Sequence, residues 1–450
     1  MAKSKYLTAP IPSSKMPAGI PYILANEAAE RFSFYGMTSI LVIFMTTYLM
    51  ARDGTLRVMN NEEAKAWFHL FNSGVYFLPF IGALISDIWL AKYRTVINFS
   101  LLYCLGYFAL TADHTHLGLG LGLVLAAIGS GIIKPCVSAN VGDQFGQTNK
   151  HLIEKFYGWF YFSINLGAAI SMFLCPWLLD RYGPKAGFGV PAILMVLATA
   201  AYRLGRGKFV HIPAGGYAFV KETFSGDGLA AIGKLSIIYL FIIPFWALFY
   251  QTQSAWVLQA QKMNLRWLGF KWLPSQPQSI NPFLILVMIP LFSYVIYPAI
   301  EKLFPLTALR KIAIGLFVTA FSFVVSAWIE IRIAAGFKPT VGWQAIAYVI
   351  LTAAEIMVSI TCLEFSYTQA PKKMKSFIQA VFLLTISLGN AFTAVVNKVI
   401  QNPDGTSKLP GASYYWFFTI AMLVTAVLFV PVASRSRVKS YIQDEAPAEA

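Results

Sequence analysis

The amino-acid sequence predicts an all-α membrane protein with twelve transmembrane helices in two six-helix bundles. Three observations carry that reading. Of 450 residues, 57% are hydrophobic and only 12% are charged, against roughly 25% charged in soluble domains. Between Pro21 and Ser434 the apolar residues gather into twelve stretches, and about 20 such residues suffice to cross a hydrocarbon core of roughly 30 Å. The longest polar interruption, 206–232, falls after the sixth stretch.

The spans read 21–50, 65–90, 94–112, 116–139, 156–180, 187–205, 233–256, 280–304, 309–332, 342–368, 375–400 and 412–434. All are too long for the roughly ten-residue alternating strands of an outer-membrane barrel. They divide the chain into an N-terminal bundle (1–205), a linker (206–232), a C-terminal bundle (233–434) and a tail (435–450). An even number of spans puts both termini on one side. That side collects 21 Lys and Arg residues and the other 12, with Arg31 and Lys134 inside helices. Basic residues concentrate in cytoplasmic loops, so the termini and linker are expected in the cytoplasm and the chain in the plasma (inner) membrane as a multi-pass protein. The formal charge of +15 then serves orientation, and no nucleic-acid partner is expected. Cys104, Cys136, Cys175 and Cys362 lie in apolar helices without metal-ligand spacing and read as small buried side chains. The first apolar segment carries Glu27, Glu30 and Arg31 and is expected to remain as a helix rather than to be cleaved as a signal peptide.

Two bundles joined by a cytoplasmic linker is the arrangement of major facilitator proteins, whose sites lie between the bundles near mid-membrane. An ionisable side chain at the bilayer centre costs about 2.5–3.5 kcal/mol and normally faces a cavity and a partner. Glu27, Arg31 and Tyr35 are spaced four apart and share one helix face. With Glu30 they make two acids and one base, so either a purely structural ion pair forms or a surplus carboxyl is left to take up a proton. Lys134, in Gly129-Ser130-Gly131-Ile132-Ile133-Lys134-Pro135, and Glu355 have no opposite charge nearby on their own helices. A bond between the bundles would satisfy both and could act as a switch; separate snorkelling to water is the alternative. His69 and Tyr76 share a face of the second helix. A lone histidine is more often a hydrogen-bonded structural residue than a switch. Tyr157, Tyr161 and Asn165 make another four-spaced stripe, in which the amide at membrane depth is the informative member.

These residues also form a pattern. The run Glu27-Ala-Ala-Glu30-Arg31-Phe32-Ser33-Phe34-Tyr35-Gly36 resembles the E-x-x-E-R-F-x-Y-Y-G motif of the proton-dependent oligopeptide transporter family. Gly131-Ile-Ile-Lys134-Pro135-Cys136, Phe160-Tyr-Phe-Ser-Ile-Asn165-Leu-Gly167, Phe245-Trp246-Ala247-Leu248 and Glu364-Phe-Ser-Tyr-Thr-Gln-Ala-Pro371 are similar to further segments of that family, in the same order. The resemblance implies a proton-coupled symporter that imports di- and tripeptides by alternating access, with the proton as coupling ion, no other cofactor, and the monomer as functional unit in the lipid bilayer. Glu27, Glu30 and Arg31 would form the proton-coupling cluster, with His69 resembling a proton-sensitive histidine. Arg31 and Tyr35 would meet the peptide carboxylate, and Lys134 would alternate among Glu30, that carboxylate and Glu355. Glu355 would receive the amino terminus, and Asn165 and Asn281 would bond the peptide backbone. Tyr76 and Trp246 would line the pocket, with Tyr250 and Ser359 completing the substrate contacts.

Three positions depart from the family pattern. Tyr250 and Ser293 stand where acids are common, Lys234 loses the partner such an acid would supply, and Phe34 replaces the first tyrosine of the helix 1 motif. Tyr250 is expected to bond toward His69 in place of the missing acid. A zwitterionic peptide matches a dipolar site with Arg31 and Lys134 at one end and Glu355 at the other, since guanidinium grips carboxylate in bidentate fashion. A proton-coupled transporter of another small organic or nitrogen compound is the second reading. The sequence offers no metal cluster, P-loop or G-x-S-x-G for an enzyme.

Overall fold

The computed structural model describes residues 6–146, 148–149, 152–214, 216, 226–369 and 375–435. The tail from 436, most of the linker, the Ala370-Pro371 end of one motif and the side chains of Tyr157 and Lys234 lie outside the described residues.

The described residues form twelve long helical segments. In the N-terminal half these are α1 (Ile20–Thr47), α2 (Asn61–Ile85, continued by a π turn Ser86–Leu90), α3 (Lys92–Ala112), α4 (His116–Asp143), α5 (Leu152–Tyr182) and α6 (Pro184–Leu204). In the C-terminal half, α7 (Gly226–Phe249) continues through a 3₁₀ turn, Tyr250–Gln253, into Ala255–Ala260. A hairpin, β1 (Arg266–Trp267) and β2 (Phe270–Lys271), precedes α8, which runs from Gln276 to Glu301 with a π turn at Phe292–Ile296. Then come α9 (Ala308–Ala334), α10 (Gly342–Glu355, a π turn Ile356–Ile360, then Thr361–Gln369), α11 (Lys375–Ile400) and α12 (Ala412–Arg435).

Eleven of these are long and apolar enough to cross a membrane among the described residues. The exception is α1, whose polar side chains, Glu27, Glu30 and Arg31 among them, lower its hydropathy. The segment boundaries follow local chemistry. Asn60 caps α2 by accepting from the Glu63 amide at 2.9 Å, and Glu62 and Glu63 in the first turn face the positive end of the helix dipole. Thr115 and Thr307 cap α4 and α9 in the same way. α7 starts at Gly226, inside the segment expected as linker, because its polar opening Gly-Asp-Gly carries no hydropathy signal.

Close helix contact in a membrane depends on small residues, since lipid is as apolar as a leucine surface. α2 and α4 meet through two glycines. A Cβ on Gly82 would lie 2.6 Å from the Ile132 carbonyl oxygen, and one on Gly131 would lie 2.8 Å from that of Val75. This approach carries Lys134, one turn past Gly131, to the ring of Tyr76. Replacing Gly131 by Leu forces the helices apart. Overpacking of this kind costs about 1–3 kcal/mol, so Gly131→Leu is expected to lower the thermal unfolding temperature in detergent, whereas Gly120→Leu, where the space is open, leaves it unchanged.

Candidate functional site

Arg31 joins both acids of α1. Its Nε lies 3.1 Å from Glu27 Oε1, and its second guanidinium nitrogen pairs with Glu30 Oε2. All three are buried. The four-residue spacing aligns Glu27 with Arg31, and Glu30 reaches the guanidinium from the adjacent position. The surplus carboxyl expected from the sequence is thus shared by one base.

The Lys134 ammonium is buried without an ion pair or hydrogen bond to its Nζ. Its ammonium instead lies over two rings, 4.0 Å from the centroid of Tyr76 and 4.4 Å from that of Phe34. Glu355 sits at the end of the first part of α10, where the π turn begins. Asn281 Nδ2 donates to its Oε2 at 2.8 Å and to Thr352 Oγ1 at 2.9 Å. The expected Lys134–Glu355 pair is therefore not formed in this conformation. Each group has found uncharged company on its own side of the interface.

Between the bundles lies a cavity of about 190 Å³, lined by Tyr35, Tyr76 and Asn165 from the N-terminal half and by Trp246, Tyr250, Asn281 and Glu355 from the C-terminal half. With Tyr161, which lines it too, eight of the residues singled out in the sequence thus converge on one space. Asn165 Nδ2 donates to the Tyr161 carbonyl at 2.9 Å. Arg31 and Lys134 do not line the cavity; Lys134 lies behind the Tyr76 ring, and Arg31 lies one helical turn before Tyr35 on the same face. Ser359 does not line it either, because the π turn after Glu355 shifts the helix face. Sequence reasoning missed Gln253 and Gln278, which also line the cavity. The cluster Gln276-Pro-Gln278-Ser-Ile-Asn281 at the start of an otherwise apolar helix was the available signal.

His69 does not meet Tyr250. Its Nδ1 lies 2.8 Å from Asn390 Oδ1 on α11 and its Nε2 lies 2.9 Å from Ser254 Oγ, next to α7. Asn390 Nδ2 donates to the Ile386 carbonyl, which directs its oxygen at His69. Nδ1 therefore carries the proton, and Nε2 accepts from the serine hydroxyl. Tyr250, four residues before Ser254, packs instead against Tyr76, with the rings edge-on at 5.6 Å. The short 3₁₀ turn after Phe249 rotates Tyr250 into the cavity and Ser254 toward the histidine.

Lys65, His69 and Ser73 form one i, i+4 stripe on α2, and all three touch the C-terminal half. Lys65 Nζ lies 3.8 Å over the Tyr414 ring, and Ser387 Oγ donates to the Ser73 carbonyl at 2.8 Å. Gln278 Nε2 reaches the Ser39 carbonyl at 3.1 Å, and Gln276 Nε2 reaches that of Phe173 at 3.0 Å. Among the described residues, these bonds between bundles lie in the half away from the termini. These bonds close that end of the interface.

The profile of the POT family matches residues 93–226 and 225–417. The chain belongs to the POT family. It is 36% identical to "Peptide transporter family 1" of Drosophila melanogaster over 72% of this chain and 48% of that one. It is 34% identical to "Solute carrier family 15 member 2" of Homo sapiens over 77% of this chain and 54% of that one. The chain thus spans about half the length of these curated relatives. Among solved structures, it superposes with a TM-score of 0.86 on an auto-inhibited POT family peptide transporter at 30% identity, covering 95% of this chain and 99% of that one. The POT family transporter PepTSo gives a TM-score of 0.85 at 32% identity, with 94% and 98% covered. This is a family of transporters, and their shared fold is the two-bundle one.

His69 holds two bonds that must break when the closed end opens. His69→Ala should shift the protein toward the conformation open on the side opposite the termini. Loss of one or two buried bonds at about 1–1.5 kcal/mol each corresponds to roughly tenfold or more. In a background lacking the native cysteines, Thr252→Cys, a cavity-lining position, is expected to react correspondingly faster with a membrane-impermeant thiol reagent added from that side.

Proposed function

We propose that this chain is a proton-coupled symporter that imports di- and tripeptides across the plasma (inner) membrane by alternating access, as a monomer with both termini cytoplasmic. The observation that carries this reading is the Glu355 carboxylate, fixed by Asn281 and Thr352 in a cavity one helical turn from the Glu27–Arg31–Glu30 cluster. A peptide's ammonium group suits that carboxylate, and the hydroxyls of Tyr35, Tyr76, Tyr161 and Tyr250 with the side-chain amides of Asn165 and Gln253 around it can accept from or donate to any backbone. Side chains are left largely unread, which favours broad peptide specificity.

The carboxylate end of the ligand calls for Arg31 or Lys134, both now screened by Tyr35 and Tyr76. Rotation of the Tyr76 side chain would uncover the ammonium and let the substrate complete a dipolar site. Glu27 and Glu30 are the proposed proton carriers, and release of one of them from Arg31 on protonation would free the guanidinium for the substrate. A zwitterion is neutral, so one proton moves one charge. At 100 mV that is worth about 2.3 kcal/mol, and each pH unit adds about 1.4 kcal/mol, together enough for accumulation of several hundredfold.

A second reading is favoured by one feature: among the described residues, Glu355 is the one ionisable carboxylate or base on the cavity wall. A small amine-bearing compound without a peptide bond would fit such a wall, and a POT family transporter of 22% identity has been solved in complex with 5-aminolevulinic acid. Uptake of a labelled dipeptide into liposomes under an inward proton gradient decides between them. Competition by unlabelled tripeptides supports the peptide reading, and competition by small amino compounds alone supports the second. Glu30→Gln keeps shape and hydrogen bonding while removing the charge that titrates. It is expected to abolish gradient-driven uptake and to retain counterflow exchange; unchanged uphill transport would remove Glu30 from the coupling role.

A further inference from the structure

The ring of Phe34 touches both cations of the coupling region. Lys134 Nζ lies 4.4 Å from its centroid and Arg31 Cζ 5.7 Å. Phe71 stacks against the ring at 6.4 Å and Tyr35 meets it edge-on at 5.5 Å, so its plane is fixed on several sides. The residue is 1% exposed. Lys134 has no hydrogen-bond partner at Nζ, although a buried ammonium without compensation is costly. Two ring faces, those of Phe34 and Tyr76, supply the compensation, because the negative quadrupole of an aromatic face attracts a cation. Glu27 and Glu30 meanwhile keep Arg31 to themselves.

We propose that Phe34 is a positioning residue of the coupling site: with Tyr76 it parks the Lys134 ammonium away from the Glu27–Arg31–Glu30 cluster, leaving those carboxylates free to exchange the transported proton. The inference rests on the transport reading above and deepens it. Without the ring, the buried ammonium turns to the carboxylates whose fields already reach it, Glu30 and Glu27. An acid held by two bases resists protonation. Coupling then suffers while the cavity, which Phe34 does not line, keeps its shape. The phenylalanine does this with its face alone, having no hydroxyl to offer.

Graded fluorination of Phe34, introduced by nonsense suppression, weakens the face quadrupole while keeping the ring's shape. Proton-driven accumulation of a dipeptide in liposomes is expected to fall stepwise, by roughly tenfold at trifluorophenylalanine, with counterflow exchange changed less than about twofold. Phe34→Tyr keeps the face and stays within about twofold of wild type in both assays. Accumulation that ignores fluorination, or that falls in step with counterflow, overturns the proposal. A thermal double-mutant cycle of Phe34→Leu with Lys134→Met reads the contact without any substrate. A double variant no less stable than Phe34→Leu alone is expected, and additive losses overturn the contact. Wild-type protein that moves no dipeptide would sink the peptide reading while this cycle still decides the role of Phe34.

Discussion

The bond of Arg31 to two carboxylates inside an apolar helix is the constraint from which the site follows. Three charges on α1 could not remain at membrane depth singly, and the bilayer offers no water to share them. One guanidinium bonds both carboxylates, and the fourth charge, Lys134, is accommodated by ring faces. The cluster balances two acids against two bases, yet only one base is paired. Such an arrangement can be redistributed at small cost, as a transport cycle requires, because no member is locked into a unique partner.

The helix contacts make that arrangement possible. Gly82 and Gly131 let α2 and α4 approach until backbone meets backbone, which brings Lys134 from α4 to Tyr76 on α2. The π turn that follows Glu355 and the 3₁₀ turn that begins at Tyr250 both interrupt regular helices at the cavity wall. Each rotates the succeeding residues, taking Ser359 out of the cavity and Ser254 to His69. Irregular turns of this kind are frequent where helices carry function.

The closed end is held mainly by neutral groups. His69, Asn390, Ser254, Ser73, Ser387 and Gln278 exchange hydrogen bonds across the interface, and the one charged tie among the described residues is a lysine on a ring. The ion pairs nearby, Glu62 with Lys65 and Glu330 with Lys262, each stay within one bundle. Parting the bundles therefore separates no salt bridge among the described residues, and the exposed amides and hydroxyls meet entering water. Neutral hydrogen bonds of about 1 kcal/mol each suit a gate that opens and closes repeatedly.

Composition and spacing alone determined the membrane class, the number of spans, and the face on which Glu27, Arg31 and Tyr35 lie, because an apolar run of fixed length and a four-residue period are local properties of a helix. The same local logic marked Lys134, His69, Asn165 and Glu355 as charges and polar groups that a bilayer tolerates only with partners. Which partners they take was decided by tertiary structure. Lys134 and Glu355 were matched by charge in the sequence, but the structure gives one to aromatic rings and the other to Asn281. His69 was matched to Tyr250, but a turn of 3₁₀ helix delivered Ser254 instead. Partner choice depends on the crossing of helices far apart in the chain and on half-turn rotations at irregular segments, and neither leaves a periodic trace in the sequence.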